Sequence, residues 1–253
     1  MIAIPAWGQD STVVLADHDK TIRYQSGSSY AESRNAETGN LLAKDDFVGD
    51  WTDGELFHIH RRFMRFDLTG FNSDTMQVDS IKINVYRTDP DQTGRNESFH
   101  IFVGTWTDTA ALADFNSFTG WVSGSNPYTP TFLVDSLYKA SWSNSWHLFH
   151  STTSAQADTV ETKLGSYLKT VMSVSKDING DTSNPANYER FALNTPSPQL
   201  VIYYTKKAAE AAEYTITNAR GNVIHEARGH EVRRLLGRDI NKKVINSVRR
   251  RIH

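Results

Sequence analysis

The 253-residue sequence contains no cysteine, and this absence excludes two kinds of architecture. Without thiols the chain has neither a disulfide framework nor a zinc site with cysteine ligands. It therefore needs no oxidising compartment in order to fold. Its apolar fraction of 38% and aromatic fraction of 11% are sufficient to fill a hydrophobic core, which excludes a disordered chain.

The sequence also lacks long apolar runs. No stretch of about 18 apolar residues occurs that would span a bilayer. Residues 1–10 have neither the basic start nor the apolar stretch of a secretory signal. We therefore expect a soluble protein that has no membrane partner and is not exported by the usual signal.

Signatures of catalysis are absent as well. There is no Gly-x-Ser-x-Gly elbow, phosphate-binding loop or dinucleotide fingerprint. His225 and His230 lie five positions apart, whereas a zinc-protease helix places its two histidines four apart. His58 and His60 share one face of a strand and can bind a metal with His100, but ordinary strand histidines explain them more simply. The sequence predicts a protein that is not an enzyme and has no metal site.

Calcium is the one ion that remains as an alternative. Asp17 and Asp19, or the turn at residues 177–181, offer the oxygen ligands that calcium prefers. The turn lacks the glutamate that closes an EF-hand loop, so ordinary turn chemistry explains it equally well. We expect no cofactor.

Charge is distributed unevenly along the chain. From residue 219 onward there are ten Lys and Arg against three Asp and Glu, a net charge of +7, whereas the first 218 residues carry a net charge of −9. An acidic body with a basic tail favours an acidic partner surface, on another copy, another protein or nucleic acid. Nucleic acid is the weaker alternative, because no aromatic platform or DNA-binding motif accompanies the basic residues.

Residues 61–71 predict the central strand around which the chain is organised. Large apolar side chains alternate with charges there, which does not suit a solvated loop. Because successive side chains of a strand point to opposite faces, Phe63 lies on one face and Met64, Phe66 and Leu68 lie on the other.

Many further short strands are predicted, separated by Gly, Asn and Pro turns. They cover residues 12–15, 41–43, 80–86, 99–103, 131–134, 146–150, 190–193 and 199–204. Residues 26–40 and 45–55 are interpreted as connections, and 114–130 as a long ordered excursion. A capping-box spacing at Asp158 and Glu161 predicts one helix whose apolar face reaches Val171. The fold class is therefore an all-β antiparallel jelly-roll β-sandwich with one short helix.

We divide the chain into an N-terminal arm (1–18), the sandwich (19–205) and a basic C-terminal extension (206–253). In the extension, residues 214–217 and 222–225 flank a glycine-bearing turn and predict a hairpin. A helix begins at Asp239 as N-cap, and its apolar stripe needs a partner to cover it. The candidate partner-binding residues are Arg233, Arg234, Arg238, Ile240, Lys242, Lys243, Val244, Val248, Arg249 and Arg250.

The order of several segments resembles the DNRLRE-type jelly-roll domains, which are similar to carbohydrate-binding modules. The segments are residues 19–23, 35–42, 65–68 (Arg-Phe-Asp-Leu), 78–86, 105–108 and 198–204. The resemblance extends over residues 19–205 and is loose between 110 and 154. It implies a jelly-roll fold in modules of polysaccharide-active enzymes, in bacterial surface proteins or in structural proteins of bacteriophage particles.

From this resemblance and the two extensions we expect a non-enzymatic bacteriophage structural protein located in the virion, as a capsid decoration, head–tail collar or tail component. Its partners are other virion proteins and copies of itself. The alternative is a carbohydrate-binding module that recognises surface glycan. The tryptophans available for sugar stacking, unless they are simply buried in the core, are Trp106, Trp121, Trp142 and Trp146.

Overall fold

The structure is a computed structural model that describes residues 9–43, 47–52, 54–88, 98–125, 127–138, 145–181, 187–190, 196–207, 213–217, 223–228 and 247–251. The chain forms two compact units, Met1–Thr205 and Lys206–His253, which we call the body and the C-terminal unit. Among the described residues, none of the helices has the length and hydropathy needed to cross a bilayer.

The body is an all-β antiparallel sandwich, as predicted, with more helices than expected. Its strands are β1 (Asp10–Ser26), β2 (Leu41–Ala43), β3 (Phe47–Thr52), β4 (Phe57–Asp67), β5 (Met76–Tyr86), β6 (Ser98–Val103), β7 (Leu137–Tyr138), β8 (Trp146–His150), β9 (Tyr167–Val174), β10 (Asn187–Arg190) and β11 (Gln199–Lys206). Its helices are α1 (Tyr30–Asn35), α2 (Ser154–Glu161) and α3 (Ser175–Asn179), with a 3₁₀ turn at Leu112–Asp114.

The long strand β1 belongs to two sheets. Its first half pairs with β11, and after an irregularity between Ala16 and His18 its second half pairs with β4. Sheet A has the order β8–β5–β11–β1, and sheet B has the order β1–β4–β9–β6–β7. In sheet B, β3 lies beside β4, β10 beside β3 and β2 beside β1. β1 runs without interruption through the predicted boundary at residue 18.

An apolar core fills the space between the two sheets, and we call it the inner core. Met64 and Phe66 of β4 point into it, as the alternation of the central strand predicted. Its other buried members are Val48, Leu68, Val78, Ile81, Ile83, Val85, Phe99, Ile101, Val103, Leu133, Val134, Phe149, Ala157, Val160, Leu168, Met172, Val174, Leu200 and Ile202.

A second cluster, the outer core, covers the opposite face of sheet B. Phe63 of β4 belongs to it, on the face opposite Met64. Residues from the predicted excursion pack against this face together with α1 and α3. The other buried members are Ile22, Tyr30, Ile59, Phe102, Trp106, Ala110, Phe115, Phe118, Tyr128, Val171 and Ile178. The sandwich is thereby extended by a layer of loop and short helices.

The predicted helix is misplaced. α2 begins after Thr153, whose hydroxyl accepts from the Gln156 amide while the Gln156 side chain accepts from the Thr153 amide. It ends at Glu161, and the segment expected to continue it is β9, between β4 and β6. Leu168 and Met172 are four residues apart, a spacing that suits one helical face and one strand face equally. Residues 167–174 form a strand because they pair with β4 on one side and with β6 on the other.

Three further predictions for the body are wrong. α1, capped by the Ser29 side chain, lies in the segment interpreted as a connection, and β3 lies in the second such segment. At residues 131–134 there is no strand; Phe132 makes an isolated bridge to Phe102. The strands predicted near 41–43, 80–86, 99–103, 146–150 and 199–204 are confirmed as β2, β5, β6, β8 and β11.

The C-terminal unit contains a three-stranded antiparallel sheet. Its strands are β12 (Glu213–Thr217), β13 (Val223–Arg228) and β14 (Ser247–Arg251), in the order β13–β12–β14. The predicted hairpin is confirmed as β12 and β13. The predicted final helix is wrong at β14, where Val248 pairs with Ile216 of β12. Residues 229–246, which include the start of that helix, lie outside the described part of the chain.

Candidate interaction surface

Two neighbouring arginines of β4 are fully buried on opposite faces of sheet B. Arg62 donates from Nε and Nη2 to the two carboxylate oxygens of Asp19, at 2.7 and 2.6 Å. Arg61 donates in the same bidentate way to Asp177, at 2.7 Å for both bonds. Such paired hydrogen bonds compensate for the loss of water around both charges.

Arg61 also fastens the excursion to the sheet. Its Nη1 donates to the Phe115 carbonyl at 3.1 Å and to the Asn116 side-chain oxygen, and its Nη2 donates to the Arg34 carbonyl at 3.2 Å. Burial alone would lower the pKa of Arg61, but the charge and hydrogen bonds of Asp177 outweigh it and raise that pKa. The guanidinium therefore stays charged inside the protein.

Asp177 is the centre of this buried network. Burial acts to raise the pKa of its carboxyl, but Arg61, Ser173 and Arg34 together lower it. The Ser173 hydroxyl donates to it at 2.5 Å. Arg34 donates to the Asp177 and Ile178 carbonyls at 2.5 and 2.9 Å, with its guanidinium 3.7 Å from the Tyr128 ring centre. α1, α3 and the excursion are held together by this network.

Three of the carboxylates suggested as calcium ligands are thus engaged with arginines. Asp19 and Asp177 pair with Arg62 and Arg61, and Asp17 pairs with Arg65 at 2.8 Å. In the described ranges, no three His, Cys, Asp or Glu side chains converge as metal ligands would.

Of the three histidines considered as ligands, His58 and His60 lie together, with ring centres 6.4 Å apart, whereas His100 lies on another strand, β6. His58 and His60 share a face of β4, and Trp51 stacks on His58 with the ring centres 4.7 Å apart. Burial lowers the pKa of His60 well below its usual value, and Arg23 and His58 act in the same direction. His100 instead bonds the Ser175 hydroxyl at 2.6 Å, next to α3.

A depression of about 420 Å³ lies between α2 and the turn before β5. Ser73, Asp158, Glu161 and Thr162 line it, so it contains hydroxyls and carboxylates but no histidine or lysine to activate a hydroxyl. One Glu161 carboxylate oxygen accepts a hydrogen bond from the Val78 amide at 2.8 Å and so attaches the start of β5 to α2.

The described tryptophans among the sugar-stacking candidates are divided between the outer core and sheet A. Trp106 is 2% exposed within the outer core, where it has no face free for a sugar ring, and Trp121 packs partly buried against the same core. Trp146 lies on sheet A, half-buried, with its ring centre 5.5 Å from that of Tyr86. Trp142 lies outside the described residues.

The solvent-facing side of sheet A exposes several large apolar side chains. Val13 and Leu15 of β1 are 56% and 57% exposed. Nearby on this side, Lys82 places its ammonium 4.8 Å from the Tyr203 ring centre. The Asn84 amide donates to the Gln199 side chain at 3.2 Å, and the Trp146–Tyr86 pair lies further along. Residues 12–15 indicate an extended arm or an edge strand, but because they are apolar or β-branched without alternation, the sequence does not show which of their side chains face solvent.

The candidate partner-binding residues fall mostly in the undescribed segment 229–246. Val248, Arg249 and Arg250 lie in β14, opposite Ile216, Thr215 and Tyr214 of β12. In the described part of the C-terminal unit β14 pairs with β12 alone, so it is an edge strand there.

The two units differ sharply in charge. Residues 1–205 contain 15 Lys and Arg against 24 Asp and Glu, a net charge of −9. Residues 206–253 contain 12 against 5, a net charge of +7. The charge division of the sequence therefore coincides with the division into compact units. Comparison of the chain with protein-family models and with curated proteins finds no match.

Proposed function

We propose that the protein is a non-enzymatic structural protein of a bacteriophage particle, in which the basic C-terminal unit binds an acidic surface of a neighbouring subunit. The observation that carries the proposal is the coincidence of charge and architecture: a compact unit of net charge +7 follows a body of net charge −9. Opposite net charges speed encounter and fix orientation between partners. The phage particle is the setting that the sequence resemblance implies.

The size of the C-terminal unit supports a docking role. A single three-stranded sheet buries little apolar surface by itself, so folds of this size gain stability when they pack against something else. The sequence of the unit also carries arginine at three consecutive positions of its edge strand β14, from 249 to 251. Edge strands with several like charges avoid pairing with one another, which favours an acidic partner.

The body supports a scaffold role. Its buried charges are used in pairs that join loops to sheet B: Arg61 with Asp177 and Arg62 with Asp19. None of these groups faces the depression beside α2, so their chemistry holds the fold and is not directed at a substrate.

The test uses particles purified from producing host cells. The protein with Arg249→Glu and Arg250→Glu is compared with a body variant of equal net charge, Lys163→Glu with Lys176→Glu. We expect the wild-type protein and the body variant to co-sediment with particles at about 0.1 M salt. The variant with Arg249→Glu and Arg250→Glu, which we call the tail variant because it changes the basic C-terminal unit, should be absent from the sedimented particles. Because salt screens exposed charges, about 1 M salt should release the wild-type protein. Retention of the tail variant, or absence of the wild-type protein from particles, contradicts the proposal.

Glycan binding is a second candidate, and one observation favours it. The open side of sheet A carries Tyr86, Trp146 and Tyr203 beside the polar groups of Asn84 and Lys82. Aromatic faces next to hydrogen-bonding groups suit sugar rings, which have apolar faces and polar rims.

A glycan array probed with the purified protein tests this candidate. Trp146→Ala should abolish binding of any glycan that the wild-type protein retains, while Tyr167→Ala, on β9 of sheet B, serves as an exposed aromatic control. Equal binding by both variants, or none by the wild-type protein, contradicts it.

A further inference from the structure

The first half of β1 is an edge strand with one side open. Residues 11–14 pair with β11, whereas β4 begins to pair only at Ala16. Among the residues that the structure describes, no other strand lies beside residues 11–14. The irregularity between Ala16 and His18 moves β1 from sheet B to sheet A and leaves this side uncovered.

The hydrogen-bond pattern identifies which backbone groups face the open side. The Ala16 amide donates to the Pro198 carbonyl at 2.9 Å, toward the β11 side. In an antiparallel ladder the backbone amide and carbonyl groups of successive residues point alternately to the two sides of the strand. Thr12 and Val14 therefore also bond toward β11. The amide and carbonyl groups of Ser11 and Val13 consequently point away from β11, toward the open side.

This edge lacks the features that normally prevent edge pairing. Between Asp10 and Asp17 the sequence is Ser-Thr-Val-Val-Leu-Ala, without lysine, proline or glycine. Val13 exposes 56% of its surface. The opposite edge of sheet A is better protected: β8 has five residues, two of them histidine, and the Asp135 amide donates to the His150 carbonyl at its end.

We propose that residues 10–14 pair with the same residues of a second copy, antiparallel, about a twofold axis at Thr12. Ser11 then faces Val13 of the other copy, and each such pair exchanges both N–H···O=C bonds. The register places Asp10 opposite Val14, so the carboxylates of the two copies do not face each other. It also sets the two exposed Val13 side chains diagonally across the joint, where they cover each other.

The joint merges two copies of sheet A into one continuous sheet. The interface is isologous, as expected for a closed dimer with twofold symmetry. It depends on backbone hydrogen bonds and apolar contact, and it does not require the C-terminal unit or the proposed function. Salt at about 1 M therefore leaves this dimer intact, whereas it releases charge-driven docking.

The absence of cysteine permits a direct test of the register. Thr12→Cys introduces the sole thiol of the chain. Facing residues of a pair that is not hydrogen-bonded lie about 4.5 Å apart between Cα atoms, within the range that a disulfide bridges. We expect mild oxidation of full-length protein at about 100 µM to give a covalent dimer. Leu148→Cys on β8, with 41% of the wild-type side chain exposed, is the control. No more covalent dimer than in the control overturns the proposal.

Sedimentation without cross-linking tests the same joint. Wild-type protein should shift from monomer to dimer between about 1 and 100 µM, and monomer throughout this range overturns the proposal. Val13→Pro removes an amide that points away from β11, so it should weaken the dimer at least about tenfold and leave the fold intact. Thr12→Pro removes a bond to β11 and should destabilise the monomer itself. A dimer unaffected by Val13→Pro also overturns the proposal.

Discussion

The inner and outer cores lie on the two faces of sheet B and are built in different ways. The inner core joins strand to strand mainly through apolar side chains such as Met64 and Ile83, and one buried ion pair, Arg62–Asp19, lies on the same face of sheet B. The outer core joins loops and short helices to the sheet, and at its centre Arg61 and Asp177 form a buried ion pair. Stability depends mainly on volume and apolar area in the first, whereas in the second it also depends on complete pairing of the charges and hydrogen bonds that attach the loops.

The difference shows how a sandwich can carry a layer of irregular structure. Loops have backbone groups that a sheet cannot satisfy, so a loop packed onto a sheet needs donors and acceptors from side chains. Arg61 and Arg34 supply donors to carbonyls of the excursion, α1 and α3. The buried arginines thus supply hydrogen bonds that neighbouring strands would supply within a sheet.

The largest effect is expected from Asp177→Asn, which keeps the shape of the side chain and removes its charge. Arg61 would then be buried without a counter-ion, and breaking a buried pair in this way costs about 3–5 kcal/mol of unfolding free energy. Urea denaturation followed by far-UV circular dichroism measures the loss. A loss below about 1 kcal/mol would mean that the hydrogen bonds alone, without the charge, stabilise the outer core.

A pH series provides the next comparison. Burial lowers the pKa of His100 from 6.5 to about 4. Between these two values His100 is protonated in the unfolded chain and neutral in the folded protein. The unfolding free energy therefore falls as pH drops from about 6.5 to 4, by up to about 3 kcal/mol. His60, with its pKa lowered well below the usual value, adds to the loss. Asp177 adds nothing in this window, because its lowered pKa makes its contribution disappear only below about pH 4.

The measurement is the unfolding free energy at pH 7, 6, 5 and 4 for the wild-type protein and for His100→Gln. The variant should lose less stability on acidification than the wild-type protein. Equal slopes for the two proteins would show that His100 is protonated in the folded state.

The two cores also differ in how far the sequence predicted them. Alternation along Ile81, Ile83 and Val85, and along Met64 and Phe66, gave the strands of the inner core and their buried faces. The outer core was missed because Arg61 and Asp177 lie 116 residues apart and no local pattern links them. β9 was taken for a helix because its apolar spacing fits both periods, and only its neighbours in the sheet decide between them.

For the candidate surface, the sequence predicted the charge division between the units and a strand at residues 12–15, but not which side of that strand is open. Thr12, Val13, Val14 and Leu15 are apolar or β-branched without alternation, so the side facing the core could not be read from them. The change of sheet at Ala16 depends on tertiary packing.

In the inner core, a substitution that conserves volume should be tolerated. Met64→Leu keeps the core apolar and nearly filled, so we expect a loss of less than about 1.5 kcal/mol. Compared with Asp177→Asn, which is equally conservative in shape, this variant tests whether charge pairing or packing is the stricter requirement. A loss as large as that of Asp177→Asn would contradict the distinction between the two cores.

The smallest effect is expected from the third arginine–aspartate pair of β4. Arg65 and Asp17 bond at 2.8 Å, but their side chains are 18% and 34% exposed, so water competes with the pair and salt screens it. A double-mutant cycle with Arg65→Met and Asp17→Asn should give a coupling energy of about 0–1 kcal/mol. The same cycle with Arg61→Met and Asp177→Asn should give a larger coupling energy, because both side chains are buried. Equal coupling energies would mean that burial does not strengthen the Arg61–Asp177 pair relative to the Arg65–Asp17 pair. The two cores would then differ in how their side chains pack and not in the strength of their ion pairs.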